Sequence, residues 1–368
     1  MSPSPTSGVE GSLGGASPAP EPRPTPNRPG GAVRCTLITP LYNERDNIER
    51  TWSSILNQTR PPDEWIVTDN GSTDGTYEWL GDRQGECPFP FKLLPMPDAN
   101  IAQMMNTAVR EATHDIVACC HGGLRIPQTW LENLLAPLAA DASVDVAAGM
   151  WEPYGETWFE RFVARGDPHR IDRLDPATYL PASRSLAFRK TAWAHAGGFP
   201  EWLPLFGEDT LYAIRLRAAG CRFALARDAV VGWRPKGSVV SLFRQVRRYA
   251  EGNAAMGYVR HPLRAFLSPS GFVPLGVAVG LAARSYWLGL AGFAAACVGF
   301  EALRCVVRGM LPSISGLFVS GVLLGLARQV GYVRGYWWRL VRAVRVPQSD
   351  KKAVADYLRL WRRGGDRE

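Results

Sequence analysis

Residues 36–76 read TLITPLYNERDNIERTWSSILNQTRPPDEWIVTDNGSTDGT. The stretch divides into strand, polar turn, amphipathic helix, strand and acidic turn. Residues 36–39 form a short apolar run closed by Pro40, the pattern of a buried parallel strand. Asp46 stands where a helix N-cap is expected. Ile48, Trp52, Ile55 and Leu56 then fall on one face of the helix that follows. Residues 65–68 make a second strand with Asp69 at its carboxyl end. In open α/β sheets, ligands bind at the carboxyl ends of strands. Two polar clusters, Tyr42-Asn43-Glu44 and Asp69-Asn70-Gly71-Ser72, therefore share one rim. Either alone is an ordinary βα turn; together they mark a candidate binding edge.

The alternation continues outward. Residues 91–94, 115–120 and 144–149 have strand character, and residues 101–112 and 130–138 are helical. Strands separated by helices of this length predict a mostly parallel sheet with helices on both faces. No internal repeat is present. No G-x-G-x-x-G follows the first strand, which argues against a dinucleotide-dependent oxidoreductase.

The 368-residue chain carries a formal charge of +8, with basic residues gathered between Arg234 and Arg264 and again between Arg328 and Arg363. These clusters flank three apolar runs, 266–283, 285–300 and 309–327, separated by Arg284, Glu301, Arg304 and Arg308. That arrangement suits an anionic membrane surface rather than nucleic acid, for which no zinc-finger or recognition-helix pattern exists. A span needs about 20 apolar residues. The first and third runs reach the lower limit, the second falls short, and a buried helical hairpin is the alternative. The basic tail is cytoplasmic by the positive-inside rule. Two cytoplasmic ends require an even number of crossings, so one run is expected to be re-entrant or interfacial. Residues 1–32 are rich in Pro, Ser and Gly and lack the apolar core of a signal peptide, which predicts a disordered tail. Seven cysteines with no C-x-x-C pair fit reduced, unpaired thiols. The expected organisation is a tail (1–32), an α/β domain (33–238), a basic amphipathic interfacial helix (239–264), membrane-embedded helices (265–328) and a basic cytoplasmic tail (329–368). The chain is thus expected at the cell (inner) membrane, with the α/β domain on the cytoplasmic face.

The turn P-x-Y-N-E at 40–44, followed by V-x-D-x-G-S-x-D-G-T at 67–76, resembles the opening of the family 2 glycosyltransferases. The segment LPASRSLAFRK at 180–190, then Gly197-Gly198-Phe199-Pro200 and Gly207-Glu208-Asp209, resembles the acceptor half of the same family. Gln245-Val246-Arg247-Arg248-Tyr249 resembles the Q-x-x-R-W element of its membrane-bound members, with Tyr249 in place of tryptophan. The resemblance covers about residues 34–255. It implies the A-type glycosyltransferase fold, a nucleotide-sugar-binding and mostly parallel sheet flanked by helices, here with a C-terminal membrane-associated helical region. It further implies inverting transfer from a nucleotide-diphosphate sugar to a cell-envelope, lipid-linked or polysaccharide acceptor. By carry-over, Pro40, Tyr42, Glu44 and Asp69 hold the nucleotide sugar, Asp209 is the base and Glu208 contacts or supports the acceptor. Arg184 and Ser185 line the acceptor pocket, and Gln245 and Arg248 lie near acceptor or diphosphate. Asp74 and Gly75 fit the start of the next helix instead.

The chemistry agrees with these residue types. Inversion needs one base for the acceptor hydroxyl and donors for the departing diphosphate. Two adjacent carboxylates opening a helix over residues 211–219 are also an ordinary choice for a helix's first turn. Gln245 and Arg248 share a helix face.

The departures concern the metal. The family usually binds magnesium or manganese through Asp-x-Asp after the strand ending near residue 120; here His121-Gly122-Gly123 stand there. Trp233 occupies the region of a later third ligand, and Met104-Met105-Asn106 replace a common arginine. Hard cations want several oxygen ligands, so no metal ligand is assigned. His121, Gly122 and Gly123 remain candidates at the nucleotide-sugar site. The two glycine amides, with Arg125, Arg234 or Arg248, are expected to meet the diphosphate. The alternative reading is a catalytically degenerate, nucleotide-binding membrane partner of a glycan-synthesis complex.

Overall fold

The computed structural model describes residues 33–166, 174–203, 206–259, 324–341 and 346–364, with isolated positions between 281 and 295. Seven strands form one sheet. They are β1 (Cys35–Leu41), β2 (Glu64–Asp69), β3 (Phe91–Pro95), β4 (Ile116–Cys119), β5 (Val146–Pro153), β6 (Leu186–Arg189) and β7 (Phe223–Trp233), in the order β3-β2-β1-β4-β6-β5-β7. β6 runs antiparallel to both of its neighbours, β4 and β5, while the other pairs are parallel. The mostly parallel sheet is as expected. The reversed β6 was not foreseen, and it matters for the site. Because it runs backwards, its amino end lies at the rim where the other strands have their carboxyl ends. Cys119 pairs with Leu186, so residues 183–185 emerge beside His121. The long β5–β7 pair brings Trp151 and Trp233 to the same edge, with Trp151 opposite Val231 and Pro153 opposite Trp233.

Helices cover both faces. On one, α1 (Arg45–Leu56), α2 (Thr76–Asp82) and α4 (Trp130–Ala140) bury Ile48, Trp52, Leu80 and Leu134 in one cluster with Leu37, Trp65, Ala118 and Val231, α4 lying over β5, β6 and β7. Trp52, Trp65, Trp79 and Phe91 meet there at centroid separations of 5.3–5.9 Å. Such aromatic pairs are each worth about 1 kcal/mol beyond their buried area. On the other face, α3 (Ile101–Glu111), α6 (Lys190–His195) and α7 (Glu208–Ala218) pack Met105, Val109, Ala192 and Tyr212 against Phe188, joined by Phe199 from the loop between α6 and α7. Asn106 ties this layer together. Its Oδ1 accepts from the Phe199 amide and Trp193 Nε1, and its Nδ2 donates to the Phe199 carbonyl. The N-cap of α1 is Glu44 rather than Asp46, which sits in the first turn. Asn43, with a left-handed φ of 51°, turns the chain into the helix before Asp46 is reached. α5 (Trp158–Gly166) follows β5.

The C-terminal helices are α8 (Val239–Met256), α9 (Leu324–Val341) and α10 (Gln348–Gly364). α8 was expected to lie on lipid, yet its C-terminal half is interior. Ala250, Gly252, Ala254 and Ala255 are buried, and a Cβ on Gly252 would fall 1.5 Å from the Phe206 carbonyl oxygen. α9 lies along the opposite side of α8. A Cβ on Gly331 would come 2.3 Å from the Arg247 carbonyl oxygen, and one on Gly335 would come 2.2 Å from that of Glu251. The outward side of α9 exposes Val333, Trp337 and Leu340. α10 docks on α7. Asp350 is 2 % exposed and makes two 2.7 Å bonds with Arg215 and one of 2.8 Å with Trp202 Nε1. Residues 346–364 therefore form part of the folded body rather than a separate tail. Among the described residues no helix is long and apolar enough to cross a membrane. The expected tail at 1–32 and almost all of the apolar runs 266–283, 285–300 and 309–327 lie outside the described residues.

Candidate active site

The β1 and β2 ends of the rim are tied to each other. The Asn43 amide donates to Ser72 Oγ, and Asn43 Oδ1 accepts from the Thr73 amide, both at 2.9 Å. The Glu44 amide reaches Thr76 Oγ1, and the Arg45 amide reaches Asp74, again at 2.9 Å. Asp74 also accepts from Thr76, which fits its reading as a helix-start residue. Asp69 is buried and accepts from Ser72 N at 2.8 Å and Ser72 Oγ at 2.6 Å. Each carboxylate oxygen can accept twice, so capacity remains for a ligand hydroxyl or base edge. Tyr42 is 56 % exposed beside it, an open aromatic face. Pro40 sits inside β1, with Thr68 of β2 as its register partner.

Glu44 joins this edge to the end of β4. Its Oε2 accepts from Asn47 Nδ2 at 2.9 Å, and burial raises its pKa above the usual carboxylate value. Gly122 and Gly123 pass directly over it. A Cβ on Gly122 would lie 2.8 Å from Leu41 Cδ2 and 2.9 Å from Glu44 Cγ, and Gly123 adopts a left-handed φ of 73°. Glycine is required by space at the first position and by backbone conformation at the second. The Gly123 amide donates to Thr51 Oγ1 at 3.3 Å, back towards α1. That bond removes it from the donors expected at the diphosphate. His121 Nε2 lies 2.9 Å from Ser183 Oγ. Desolvation, helped by the Arg184 charge, pushes its pKa down to about 3, so the imidazole is neutral at physiological pH.

Arg184 lies at the centre of the second half of the rim. Its guanidinium is 4.8 Å from the Trp151 ring and 5.3 Å from the Trp233 ring, two rings set edge to face at 81°. Its Nη1 is buried and has no hydrogen-bond partner. Ser185, expected to line the acceptor pocket, does not. It is 1 % exposed, accepts from Trp130 Nε1 at 2.9 Å and donates to the Ala229 carbonyl at 3.0 Å. Its hydroxyl bridges β6, β7 and α4 inside the core. Arg125 and Arg234, expected near the diphosphate, are engaged elsewhere. Arg125 pairs with Glu156 at 3.0 Å and stacks on Tyr154, and Arg234 grips Glu156 and Glu160 at 2.9 Å.

The acidic pair opens α7 after Gly207, whose φ of 106° only glycine adopts easily. Glu208 is buried, and its Oε2 accepts from the Gly207 amide at 3.1 Å. Burial, reinforced by the Asp209 charge, lifts its pKa to about 8. Glu208 therefore holds its proton at neutral pH. Asp209 Oδ1 accepts from the Thr210 amide at 2.7 Å, in the positive field of the helix start. α8 lies over this turn. Phe206 meets Tyr249 edge to face at 5.4 Å, Arg248 sits 5.7 Å from the Phe206 ring, and Gln245 Nε2 donates to the Tyr249 hydroxyl at 3.3 Å. Desolvation raises the Tyr249 pKa; Arg184 and Asp209 act on the same hydroxyl in opposite senses. The structure thus brings Gln245, Arg248, Arg184 and the acidic pair around one volume.

Sequence reasoning missed Trp151, Ser183 and Lys236, the last close enough to lower Glu44 electrostatically. Trp151 gave no local signal beyond standing at a strand end. The donor set does not suit a divalent cation. Among the described residues no group of three or more His, Cys, Asp or Glu converges as a metal site.

Residues 36–194 match the model of glycosyl transferase family 2, and residues 174–342 match that of glycosyl transferase family 21. Glycosyltransferase AglE of Haloferax volcanii is 26 % identical over 224 residues, 59 % of this chain and 72 % of that protein. O-antigen chain rhamnosyltransferase RfbN of Salmonella typhimurium is 23 % identical over 212 residues, 54 % of this chain and 66 % of the relative. Among solved structures, the mannosyltransferase PcManGT from Pyrobaculum calidifontis, captured with GDP-Man and Mn2+, superposes with a TM-score of 0.55 at 22 % identity, covering 86 % of this chain and 91 % of that one. That likeness is one of fold.

Proposed function

This chain is a glycosyltransferase with a family 2 catalytic domain, and we propose that it moves a sugar, with inversion, from a nucleotide-diphosphate sugar to a cell-envelope, lipid-linked or polysaccharide acceptor. The observation that carries this reading is the placement of Asp209 at the start of α7, where it acts on the same Tyr179 and Tyr249 hydroxyls as Arg184, the cation beside His121. Nucleoside and base sit against Tyr42 and Asp69. The diphosphate lies over the end of β4, and the acceptor enters beneath α8. Asp209 removes the acceptor proton as its oxygen attacks the anomeric carbon. Neutral Glu208 keeps a second negative charge away from that position. Tyr249, Gln245 and Arg248 frame the acceptor side. The residues present do not fit magnesium or manganese, and no step is routed through one.

We further propose that the site works at the cytoplasmic face of the cell membrane. This draws on the apolar runs between 266 and 327, and on the exposed Val333, Trp337 and Leu340 of α9 beside arginines. Transfer assays with a panel of nucleotide sugars and lipid-linked or glycan acceptors, with anomeric analysis of the product by NMR, test the reaction. Retained anomeric configuration would exclude a single displacement. Nucleotide binding without transfer across the panel would favour a catalytically silent partner. Flotation of the full chain with anionic vesicles tests the membrane, and failure to float would remove it.

A further inference from the structure

The proposal here rests on the donor reading above. We propose that Arg184 stands in for a divalent cation: its buried Nη1 donates to the β-phosphate of the bound donor and receives the charge left there on transfer. Three observations point to it. The positions where oxygen ligands would gather hold His121, Gly122, Gly123 and Trp233, none of them a carboxylate. Between those same positions the structure sets a guanidinium, held by the faces and edges of Trp151 and Trp233. Its Nη1 is buried with no partner, a condition that native structures seldom tolerate unless a ligand or water completes it.

The surroundings select this arginine over the others. Arg125 and Arg234 are paired with Glu156 and Glu160. Arg50 and Arg217 also have a buried nitrogen without a partner, but it is the inner Nε, and their forks already grip main-chain carbonyls. In Arg184 the open nitrogen belongs to the fork itself, while the guanidinium also bonds the Tyr249 hydroxyl. No carboxylate neutralises Arg184 within salt-bridge distance among the described residues, and the neighbouring His121 is uncharged. Arg184 and Asp209 act on the same two phenols, Tyr179 and Tyr249, so cation and base flank one volume. A planar guanidinium suits this task, since it presents two parallel donors to phosphate oxygens and stacks on aromatic rings. The electron count closes without a metal. The acceptor oxygen forms its bond to the anomeric carbon, and its proton passes to Asp209. The bond from that carbon to the β-phosphate oxygen breaks. Its electron pair leaves with the diphosphate, where the added negative charge faces Arg184.

Calorimetry of the full chain in detergent with UDP, GDP and the matching monophosphates, each in EDTA and in manganese, tests this. The wild type is expected to bind one diphosphate in EDTA, with manganese changing affinity less than about threefold. Arg184→Gln should weaken that diphosphate by about tenfold to a hundredfold, with monophosphate affinity within about threefold of wild type. If Arg184→Gln does not fold, Arg184→Lys keeps the charge but loses the fork. It should still weaken the diphosphate several-fold and spare the monophosphate. A folded variant with unchanged diphosphate affinity, or an equal loss for both nucleotides, overturns the proposal and leaves the donor reading standing. So does a wild type that binds diphosphate only with manganese. A wild type that binds neither diphosphate in either buffer overturns the donor reading, and this proposal with it.

Discussion

At the β1–β2 end of the rim, Asn43, Asp69, Ser72, Asp74 and Thr76 satisfy one another through bonds of 2.6–3.0 Å. At the β4–β6–β7 end, Arg184 Nη1 has no partner, Glu208 is held protonated by burial and His121 is held neutral by it. The first edge is held mainly by its own hydrogen bonds, with the buried Thr68 Oγ1 and Asn70 Oδ1 left open, and is suited to selecting a shape. The second keeps unpaired donors and displaced protonation states, which is where a reaction that moves a proton and a negative charge needs them. Preorganised recognition and poised chemistry are thus laid side by side along one edge of one sheet.

Mutation can separate the two ends. The largest effect is expected from Asp209→Asn. Loss of a general base lowers turnover by about a hundredfold to ten-thousandfold, while nucleoside diphosphate affinity should stay within a few-fold by calorimetry. Near-wild-type turnover on the true acceptor would remove Asp209 from the chemistry. Asp350→Ala attacks the support beneath the reactive end, because it strips the buried partner from Arg215 and Trp202. Removing one member of a buried ion pair costs about 3 kcal/mol, so a fall of several degrees in melting temperature is expected. An unchanged melt would mean that α10 is not anchored to α7 in solution. Asp69→Ala acts on the other end. Donor affinity should fall by about tenfold with a smaller change in turnover, and equal binding of nucleoside diphosphate before and after would contradict its place there.

The smallest effect is a change in pH dependence. Glu208 has a folded-state pKa raised from 4.5 to about 8. The folded chain therefore binds a proton that the unfolded chain releases earlier. The stability from this is complete below pH 4.5 and is lost as pH rises through about 8. Glu208→Gln, which cannot ionise, should flatten the fall in melting temperature between pH 5 and 8. Superimposable profiles for the two proteins would show that Glu208 does not hold its proton there.

Legibility followed the same division. The strands of the first half, the amphipathic α1 and α4 and the turn at Asp69 were readable because each is a local pattern, apolar alternation broken by turn residues. The acidic pair at α7 and the missing carboxylates at 121–123 were readable as well, since a motif and its loss are both written in one dimension. Ser185 was misread because its spacing beside Arg184 says nothing of direction. The two residues lie in the turn that leads into β6, where the chain changes direction between them, and here one turns to the rim while the other bridges Trp130 and Ala229 in the core. Arg125 and Arg234 were misread because their acidic partners, Glu156 and Glu160, lie tens of residues from one or both in sequence.

The sequence by itself determined the sheet-and-helix class, the family resemblance, the carboxylates at 208–209 and the lack of a carboxylate at 121–123. Each depends on residue type and near-neighbour spacing. Only the tertiary structure decided that β6 runs backwards, that Trp151 and Trp233 close around Arg184, and that Gly252, Gly331 and Gly335 let α8 lie between the Phe206 turn and α9. Strand direction and register are settled by which faces can be buried together, a property of the assembled layers. The buried Arg184 Nη1, left without a partner between the two tryptophan rings, follows from that assembly.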